Sequence, residues 1–256
     1  MQTREKLRLS PSSLSAFQDC RLKFKLQYID HVSPKSGGNI YSCFGTAIHS
    51  AIGRFYHRGD FSNSNTLLES WDSIFRAEML SRNPIHSPED LLNFLHTGRT
   101  ILETFYQRQK SEGFLIPPIF IEKKFSIEFD NFIAIGILDM IFKRNDEIEI
   151  VDFKTSSTAK STKAIKKDHQ LTLYSWIYWK TTSQLPNHLC LHYLKPDSKI
   201  YTSRTLEEIQ AFETYLNEFY GTVKSLNEWI PNFEHCAWCD FHLNCPEYSK
   251  RKIYLV

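Results

Sequence analysis

The sequence is short of glycine and carries almost no net charge. Only nine of its 256 residues are glycine, and neither G-x-G-x-x-G nor G-x-x-x-x-G-K-[ST] occurs. These loops wrap nucleotide phosphates, so the usual sequence evidence for a dinucleotide or nucleoside-triphosphate site is missing. The 31 lysines and arginines against 29 acids leave a charge of +2. Because the overall field identifies no nucleic-acid, membrane or acidic partner, any partner must be inferred from local patches.

Long apolar runs are also missing. No stretch approaches the roughly 18 consecutive apolar residues of a bilayer span, and residues 1–13 are polar, without the hydrophobic stretch of a signal peptide. We therefore expect a soluble, cytoplasmic protein with no membrane partner. Its six cysteines are then better explained as buried thiols, metal ligands or nucleophiles than as disulfides.

The first part of the chain has the apolar pattern of helices. With 41% apolar residues the chain can bury a full core, and its length favours one domain, residues 1–256. In residues 1–115 the apolar side chains recur every three or four positions, which predicts mainly helical structure. One helix is predicted from a cap near Ser12 to about Tyr28, and others over about 44–57, 66–81 and 88–111.

From about residue 116 the apolar period becomes that of strands. Runs rich in isoleucine, valine and phenylalanine are separated by turn residues, which predicts three successive antiparallel strands. Residues 116–204 thus form the predicted α/β core, and a capping-box signature at Thr205 opens the C-terminal part, residues 205–256. The predicted strands cover 119–129, 132–142, 147–153, 189–194 and 199–203, and the predicted helices cover about 168–182 and 205–226.

Charged residues interrupt two of these strands. Asp139 ends the apolar run from Gly136, and Asp152 and Lys154 flank Phe153 on the next strand. Residues two apart on a strand share a face, and buried carboxylates need compensating cations because they lose hydration and repel each other. Two carboxylates, waters and a main-chain carbonyl, here that of Phe153, suit Mg2+ or Mn2+, and a lysine beside them can position a water.

An acid-x-lysine pair taken alone is more often a surface ion pair near a strand end. Here it has companions. Gln170 and Tyr174 lie one turn apart on the next predicted helix and face the same way, while His49 stands between Gly45 and Gly53 with its side open to a ligand. Singly, these are a core histidine, an exposed amide and a half-buried ring. Their order and combination favour a metal-dependent active site.

These segments together resemble the PD-(D/E)XK nucleases and, among them, the RecB-like exonucleases. The resemblance implies a restriction-endonuclease-like α/β fold, a mixed sheet flanked by helices, with a helical N-terminal insertion and a cysteine-rich C-terminal tail. It implies that His49, Asp139 and Asp152 bind divalent metal. Lys154 would serve the attacking water, with the glutamine and tyrosine in support; Asp152 stands where many members have glutamate, which the family accepts. The segments that carry the resemblance are Leu9–Cys20, Phe44–His49, Gly136–Asp139, Val151–Thr155 and Gln170–Tyr174.

The cysteines predict a second metal site. Cys236, Cys239 and Cys245 form a C-x2-C-x5-C pattern in the tail, and Cys20 lies on the first predicted helix, facing the core. Four thiolates can hold zinc or an iron–sulfur cluster, and the spacing does not choose between them. The resemblance favours a 4Fe-4S cluster, which AddB-type and CRISPR-associated adaptation exonucleases hold with one N-terminal and three C-terminal cysteines. Two cysteines are predicted to be ordinary buried thiols and two histidines to be fallback ligands: Cys43, Cys190, His235 and His242.

A run of lysines directly after the proposed catalytic strand is the best predicted contact with DNA phosphates. No acid occurs in residues 154–167, which contain Lys160, Lys163, Lys166 and Lys167. A second basic group near the N-terminus fits a solvated helix face as well as it fits DNA. It comprises Arg4, Lys6, Arg8, Arg21, Lys23 and Lys25.

We therefore expect a metal-dependent deoxyribonuclease. The resemblance implies an exonuclease that processes DNA ends, preferring single strands, with a possible protein partner in recombination and repair or in CRISPR adaptation. Two other classes stay open: an iron–sulfur subunit that holds DNA ends with weak or no cleavage, and a zinc-stabilised interaction module with no nucleic-acid role. Metal-dependent turnover separates the first from a nuclease, and metal content separates the second.

Overall fold

A computed structural model describes residues 6–35, 40–84 and 86–253. Within these ranges, six strands form one mixed sheet with α-helices on both faces, which confirms the predicted fold class. The strands are β1 (Leu7–Leu9), β2 (Phe120–Glu128), β3 (Phe132–Arg144), β4 (Glu147–Lys154), β5 (His188–Tyr193) and β6 (Ser198–Thr202). The α-helices are α1 (Pro11–Asp19), α2 (Arg21–Phe24), α3 (Ile40–Arg58), α4 (Asn65–Arg82), α5 (Pro88–Ser111), α6 (Thr162–Ile165), α7 (His169–Thr182), α8 (Leu206–Ser225) and α9 (Pro246–Ile253).

The N-terminal segment departs from the single helix predicted for it. α1 is capped by Ser10 rather than near Ser12. It ends where Cys20 adopts an extended backbone, with φ of −162°, and the Cys20 sulfur accepts the backbone N–H of Lys23 at 3.5 Å. The chain then forms α2 and a π-helix, Lys25–Ile29. The sequence does not predict β1, because three residues are too few to display an alternating pattern.

The helices enclose two cores, one on each face of the sheet. α3, α4 and α5 pack on one face around aromatic side chains that include Trp71, Phe75 and Phe105. α1, α7 and α8 cover the other face, where Trp176 and Leu191 are fully buried. We refer to these as the α3 side and the α7 side of the sheet. The division of the chain into residues 1–115, 116–204 and 205–256 of a single domain stays a prediction.

The strand order is β1-β3-β4-β5-β6, and β2 pairs with β3 off this path. β2, β3 and β4 are antiparallel neighbours, as predicted. Along the chain, α7 follows β4 and precedes β5, which pairs parallel with β4. β6 then pairs antiparallel with β5. The carboxyl ends of β4 and β5 therefore meet at the same edge of the sheet, where α7 begins.

One edge of β3 has a gap in its pairing. β2 occupies the other edge from residue 133 to residue 141, so β1 and β4 must share this one. β1 takes residues 132–134 and β4 takes residues 140–144, which leaves residues 135–139 without a strand beside them on this edge. We call residues 135–139 of β3 the sheet gap, and Asp139 lies at its end.

The C-terminal tail follows α8. It forms a 3-10 helix, Phe233–Trp238, and then α9. Among the described residues, no helix combines the length and the apolar character that crossing a membrane requires.

Candidate active site

Asp152 and Lys154 lie at the carboxyl end of β4 and face α7. Strand alternation explains this placement, because Ile150 on the same strand packs in the α7-side core while Phe153 packs on the α3 side. Asp152 is only 2% exposed. Its Oδ2 is 2.7 Å from the Lys154 ammonium nitrogen, so the buried carboxylate has the cation that the sequence predicted for it.

Gln170 joins the two charged residues. Its carbonyl oxygen accepts a hydrogen bond from Lys154 Nζ at 2.7 Å, and its amide nitrogen donates to Asp152 Oδ1 at 2.7 Å. The amide also donates to the Tyr174 hydroxyl at 2.8 Å, one turn along α7. Asp152, Lys154 and Gln170 thus form a closed ring of contacts, which we call the catalytic ring. The structure therefore brings these side chains together, as the sequence predicted.

Asp139 reaches the same place from the sheet gap and connects it to the α3 side. Its Oδ2 accepts the backbone N–H of Phe153 at 2.8 Å, and its Oδ1 lies 3.3 Å from His49 Nδ1 on α3. The Phe153 ring packs edge-on against the His49 ring, with centroids 6.1 Å apart. Because the gap interrupts the sheet here, side chains from both of its faces come together.

Burial and the neighbouring charges set the pKa values of this cluster. Burial raises the pKa of Asp152 to about 6, and Asp139 adds to the rise while the Lys154 ammonium opposes it. Burial alone would lower the pKa of Lys154, but Asp152 outweighs it and the pKa is raised. The same holds for His49, whose pKa Asp139 raises against the effect of burial. The lysine therefore keeps its charge, while burial works against the ionised form of Asp152.

The donor atoms fit a hard divalent cation. Asp152 Oδ2 is buried and makes no hydrogen bond of acceptable geometry, although the Lys154 ammonium lies close to it. Two carboxylates and one imidazole are ligands that Mg2+ or Mn2+ accept. Among the described residues, no three His, Cys, Asp or Glu side chains are gathered around one point. The types of donor atom therefore suit such an ion, although the described side chains do not converge on a single position.

The sequence does not single out Glu122, which lies on β2 opposite Asp139 of β3. Its φ of +44° is in the left-handed region, and the β2–β3 register skips this pair. A Cβ on Gly53 of α3, one turn beyond His49, would be 3.3 Å from the Glu122 carboxylate. The irregularity is matched on β3, where Leu138 packs on the α7 side and Met140 on the α3 side. The pairing register is the same on both sides of this position, since Ile121 pairs with Met140 and Lys123 pairs with Leu138, so neither strand gains a residue. A search for regular alternation misses such a local reset.

The comparison with protein families addresses the origin of this arrangement. The family model described as the PD-(D/E)XK nuclease superfamily matches residues 8–246. The chain belongs to the PD-(D/E)XK nuclease superfamily. No curated protein matches it. One similar solved structure, entitled "Crystal structure of SSO0001", is 20% identical, covers 70% of this chain and 80% of its own, and has a TM-score of 0.38.

In this PD-(D/E)XK nuclease, one cavity of about 150 Å3 is lined by Cys20 and by the three cysteines of the tail, Cys236, Cys239 and Cys245. All four cysteines are partly exposed, and none of them forms a disulfide. Cys20 accepts the backbone N–H of Asn232 at 3.3 Å, which brings the two ends of the chain together. Burial raises the pKa of the Cys239 thiol, and the neighbouring sulfurs of Cys20 and Cys236 add to the rise. The fallback ligands, His235 and His242, also line this cavity.

The remaining two cysteines of the PD-(D/E)XK chain are fully buried, as predicted. Cys43 and Cys190 are both 0% exposed in the α3-side core. Burial raises the pKa of Cys190 to about 12, so this thiol stays protonated and unreactive.

The lysines predicted to contact DNA fall into two groups. Lys160 forms a salt bridge with Asp168, the residue that caps α7. The Lys160 Nζ lies 2.6 Å from the Asp168 carboxylate. Lys163, Lys166 and Lys167 are exposed on and after α6. Of the N-terminal basic group, Lys6 pairs with Glu128 at 2.9 Å, and Arg4 lies outside the described residues.

Proposed function

We propose that this PD-(D/E)XK chain is a metal-dependent deoxyribonuclease that works as an exonuclease on DNA ends, with a preference for single strands. The observation that carries the proposal is the catalytic ring. Gln170 holds Lys154 against a buried Asp152, and Asp139 and His49 approach from the sheet gap. A structural ion pair would not need a carboxylate whose pKa is raised and whose oxygen lacks a hydrogen bond.

In this proposal, His49, Asp139, Asp152 and the main-chain carbonyl of Phe153 hold Mg2+ or Mn2+. The ion would supply positive charge to the phosphate and lower the pKa of a bound water. The protein's own contribution is to fix the donors before substrate binds. Lys154 stays protonated and is aimed by two contacts, so it can orient the attacking water and stabilise negative charge that develops on the phosphate.

The supporting residues act through these groups. Gln170 presents its oxygen to the cation and its nitrogen to the anion, so a rotated amide would lose both contacts. Burial raises the pKa of Tyr174 well above its usual value, and the acids nearby add to the rise. The hydroxyl therefore stays neutral. We assign both to positioning the ring.

We further propose that Cys20, Cys236, Cys239 and Cys245 hold a 4Fe-4S cluster. The shared cavity and the backbone N–H groups directed at the Cys20 sulfur support this, since such donors stabilise thiolate ligands. The nearby histidines make zinc the competing occupant. A brown protein with iron and sulfide in equal amounts supports the cluster, and a colourless protein with zinc contradicts it.

DNA is the proposed partner of this site, with Lys163, Lys166 and Lys167 as contacts to phosphates and Lys160 sharing its charge with Asp168. The resemblance of the motifs to RecB-like and CRISPR-associated exonucleases supports a role in recombination and repair or in CRISPR adaptation. A protein partner from such a complex belongs to the same proposal.

Digestion of end-labelled oligonucleotides tests the nuclease proposal. We expect the purified chain to shorten single strands from an end when Mg2+ or Mn2+ is present, and to stop when EDTA is added. Asp152→Asn, which keeps the shape of the side chain, should abolish the reaction. If the native chain binds DNA ends but its turnover equals that of the variant, the chain is an end-holding subunit instead.

A further inference from the structure

A large open cleft of about 1360 Å3 lies beside the catalytic ring. Gln170 and Tyr174 form part of its wall, so the cleft reaches the ring directly. The sheet gap supplies another part, through Ile135 and Ile137. The cleft therefore includes residues of the stretch of β3 that β1 and β4 leave uncovered.

The charges of the cleft are suited to a polyanion. Four cationic side chains line it, against one acid, Asp130. Lys124 is exposed on β2, where it pairs in register with Ile137. Lys224 is exposed at the end of α8, with its ammonium 5.9 Å above the Tyr220 ring. The other two are Lys6, which already pairs with Glu128, and Arg8 within β1.

The cleft also has an apolar floor. Ile137 is 52% exposed, although it lies in the middle of a strand directly before the catalytic segment. Tyr28, from the π-helix, and Tyr220 line the same space. An exposed isoleucine and two half-buried tyrosine rings beside cations suit unstacked bases attached to a phosphate chain. A duplex presents its phosphates outward and keeps its bases stacked inside, so it would leave these apolar surfaces unused.

We propose that this cleft is the channel that holds a single DNA strand next to the scissile phosphate. Lys124 and Lys224 contact its phosphates, and Ile137 supports a base. The inference deepens the proposed function and rests on it, because it assigns the occupant of the space beside the catalytic ring. It also assigns the main DNA contacts to Lys124 and Lys224, which no sequence pattern connects, rather than to the lysines after β4.

A pair of charge-removing variants tests the channel. We compare Lys124→Ala/Lys224→Ala with Lys110→Ala/Lys143→Ala, whose exposed lysines lie outside the cleft lining. Binding of a fluorescent oligothymidylate is measured by anisotropy in EDTA over a range of salt concentrations. Each lost phosphate contact should lower the slope of log affinity against log salt by about 0.7. The cleft variant should lose about twice that amount, while the control keeps the native slope.

A small substrate separates the channel from the catalytic centre. The p-nitrophenyl ester of thymidine monophosphate needs only the catalytic ring, so the cleft variant should hydrolyse it at the native rate while its KM for the oligonucleotide rises. If the native chain cleaves neither substrate, the proposed nuclease function fails, and the binding measurement in EDTA still judges the channel.

The floor is tested separately with Ile137→Ser, which leaves every charge in place. We expect weaker binding of the single strand with an unchanged salt slope, because the lost contact is apolar. Two results overturn the channel: equal salt slopes for the cleft and control pairs, or a blunt duplex that binds the native chain as tightly as the single strand and responds to the same substitutions.

Discussion

The catalytic centre and the cysteine-lined cavity are both assembled from distant parts of the chain, but they are held together differently. In the catalytic centre, polar groups contact one another directly: Lys154 contacts Asp152 and Gln170, and Asp139 contacts the Phe153 backbone N–H and His49. In the cavity, four cysteines line a common space of about 150 Å3. The first site is a network of direct polar contacts, and the second is a set of sulfur donors around a shared cavity.

This difference indicates that the packed fold holds the catalytic centre in place. The cysteine site, by contrast, would help to hold the fold together once it binds a metal or cluster. Two packed cores position the strands and α7, so the catalytic centre needs no ligand to form. The tail around the cysteines contains only a short 3-10 helix and α9. Metal or cluster binding there would contribute directly to folding. Substitutions in the first site should therefore change cleavage, and those in the second should change stability.

The largest effect is expected for Lys154→Met. The substitution keeps the length of the side chain but removes its charge and both of its contacts. We expect cleavage to fall by about 10² to 10³, the loss typical when a donor that stabilises developing negative charge is removed. Initial rates on a labelled oligonucleotide measure it. Lys180→Met, which removes a surface pair with Glu213, is the control; equal losses in both variants would contradict a role for Lys154.

The next effect concerns stability in the absence of metal. Burial raises the pKa of Asp152 to about 6, so the ionised carboxylate is less stable in the folded state than in the unfolded chain. This penalty is absent below about pH 4 and complete above about pH 6, which means that stability falls as pH rises between them. Asp152→Asn removes this pH-dependent penalty, and it also removes the anionic partner of Lys154 at every pH.

Urea unfolding of both proteins in EDTA at several pH values measures this effect. The difference in unfolding free energy between Asp152→Asn and the native chain should grow as the pH rises from 4 to about 6 and then level off. Asp72→Asn is the matched control, because Asp72 is exposed and paired with Arg99. A difference that does not depend on pH would show that the carboxylate is not held at a raised pKa.

Much of the catalytic centre could be predicted because its parts obey local rules. Alternation places Asp152 and Lys154 on one face, and helix periodicity places Gln170 and Tyr174 on another element facing them. The strand bounds follow from turn residues, which explains why β2 to β6 lie within a few residues of prediction. Such rules act over a few residues, and each is visible in the sequence.

The sheet gap could not be predicted, because it depends on which strands share an edge. β1 has three residues and no pattern of its own, yet it decides where the gap begins. The irregularity at the Glu122–Asp139 pair resets the alternation of β3 without leaving a signal in the sequence. The exposed Ile137 and the distant Lys224 become neighbours of one cleft only through this topology. The sequence directs attention instead to the contiguous lysines after β4.

A smaller effect on cleavage is expected for Gln170→Ala. The variant removes the group that joins Lys154 to Asp152 but leaves the direct contact between them, 2.7 Å long, in place. Loss of such an orienting partner lowers metal affinity or activity by about 10 to 100-fold. Cleavage rates at increasing Mn2+ concentrations measure both quantities. Gln107→Ala, whose amide bonds Glu103 on the surface, should behave as the native chain does.

The smallest effect on cleavage is expected for Cys239→Ser, and this variant tests the comparison most directly. If the cysteines hold a cluster that supports the fold, the variant should be colourless, melt at a lower temperature and be cut first in the tail by a protease. The rate per folded molecule should stay close to native, because the lining of the cavity includes no residue of the catalytic ring. Cys43→Ala, which alters a thiol buried in the α3-side core, should keep the colour. A stable Cys239→Ser protein that has lost its cleavage would reverse the assignment, since the cavity would then act on the chemistry rather than on the fold.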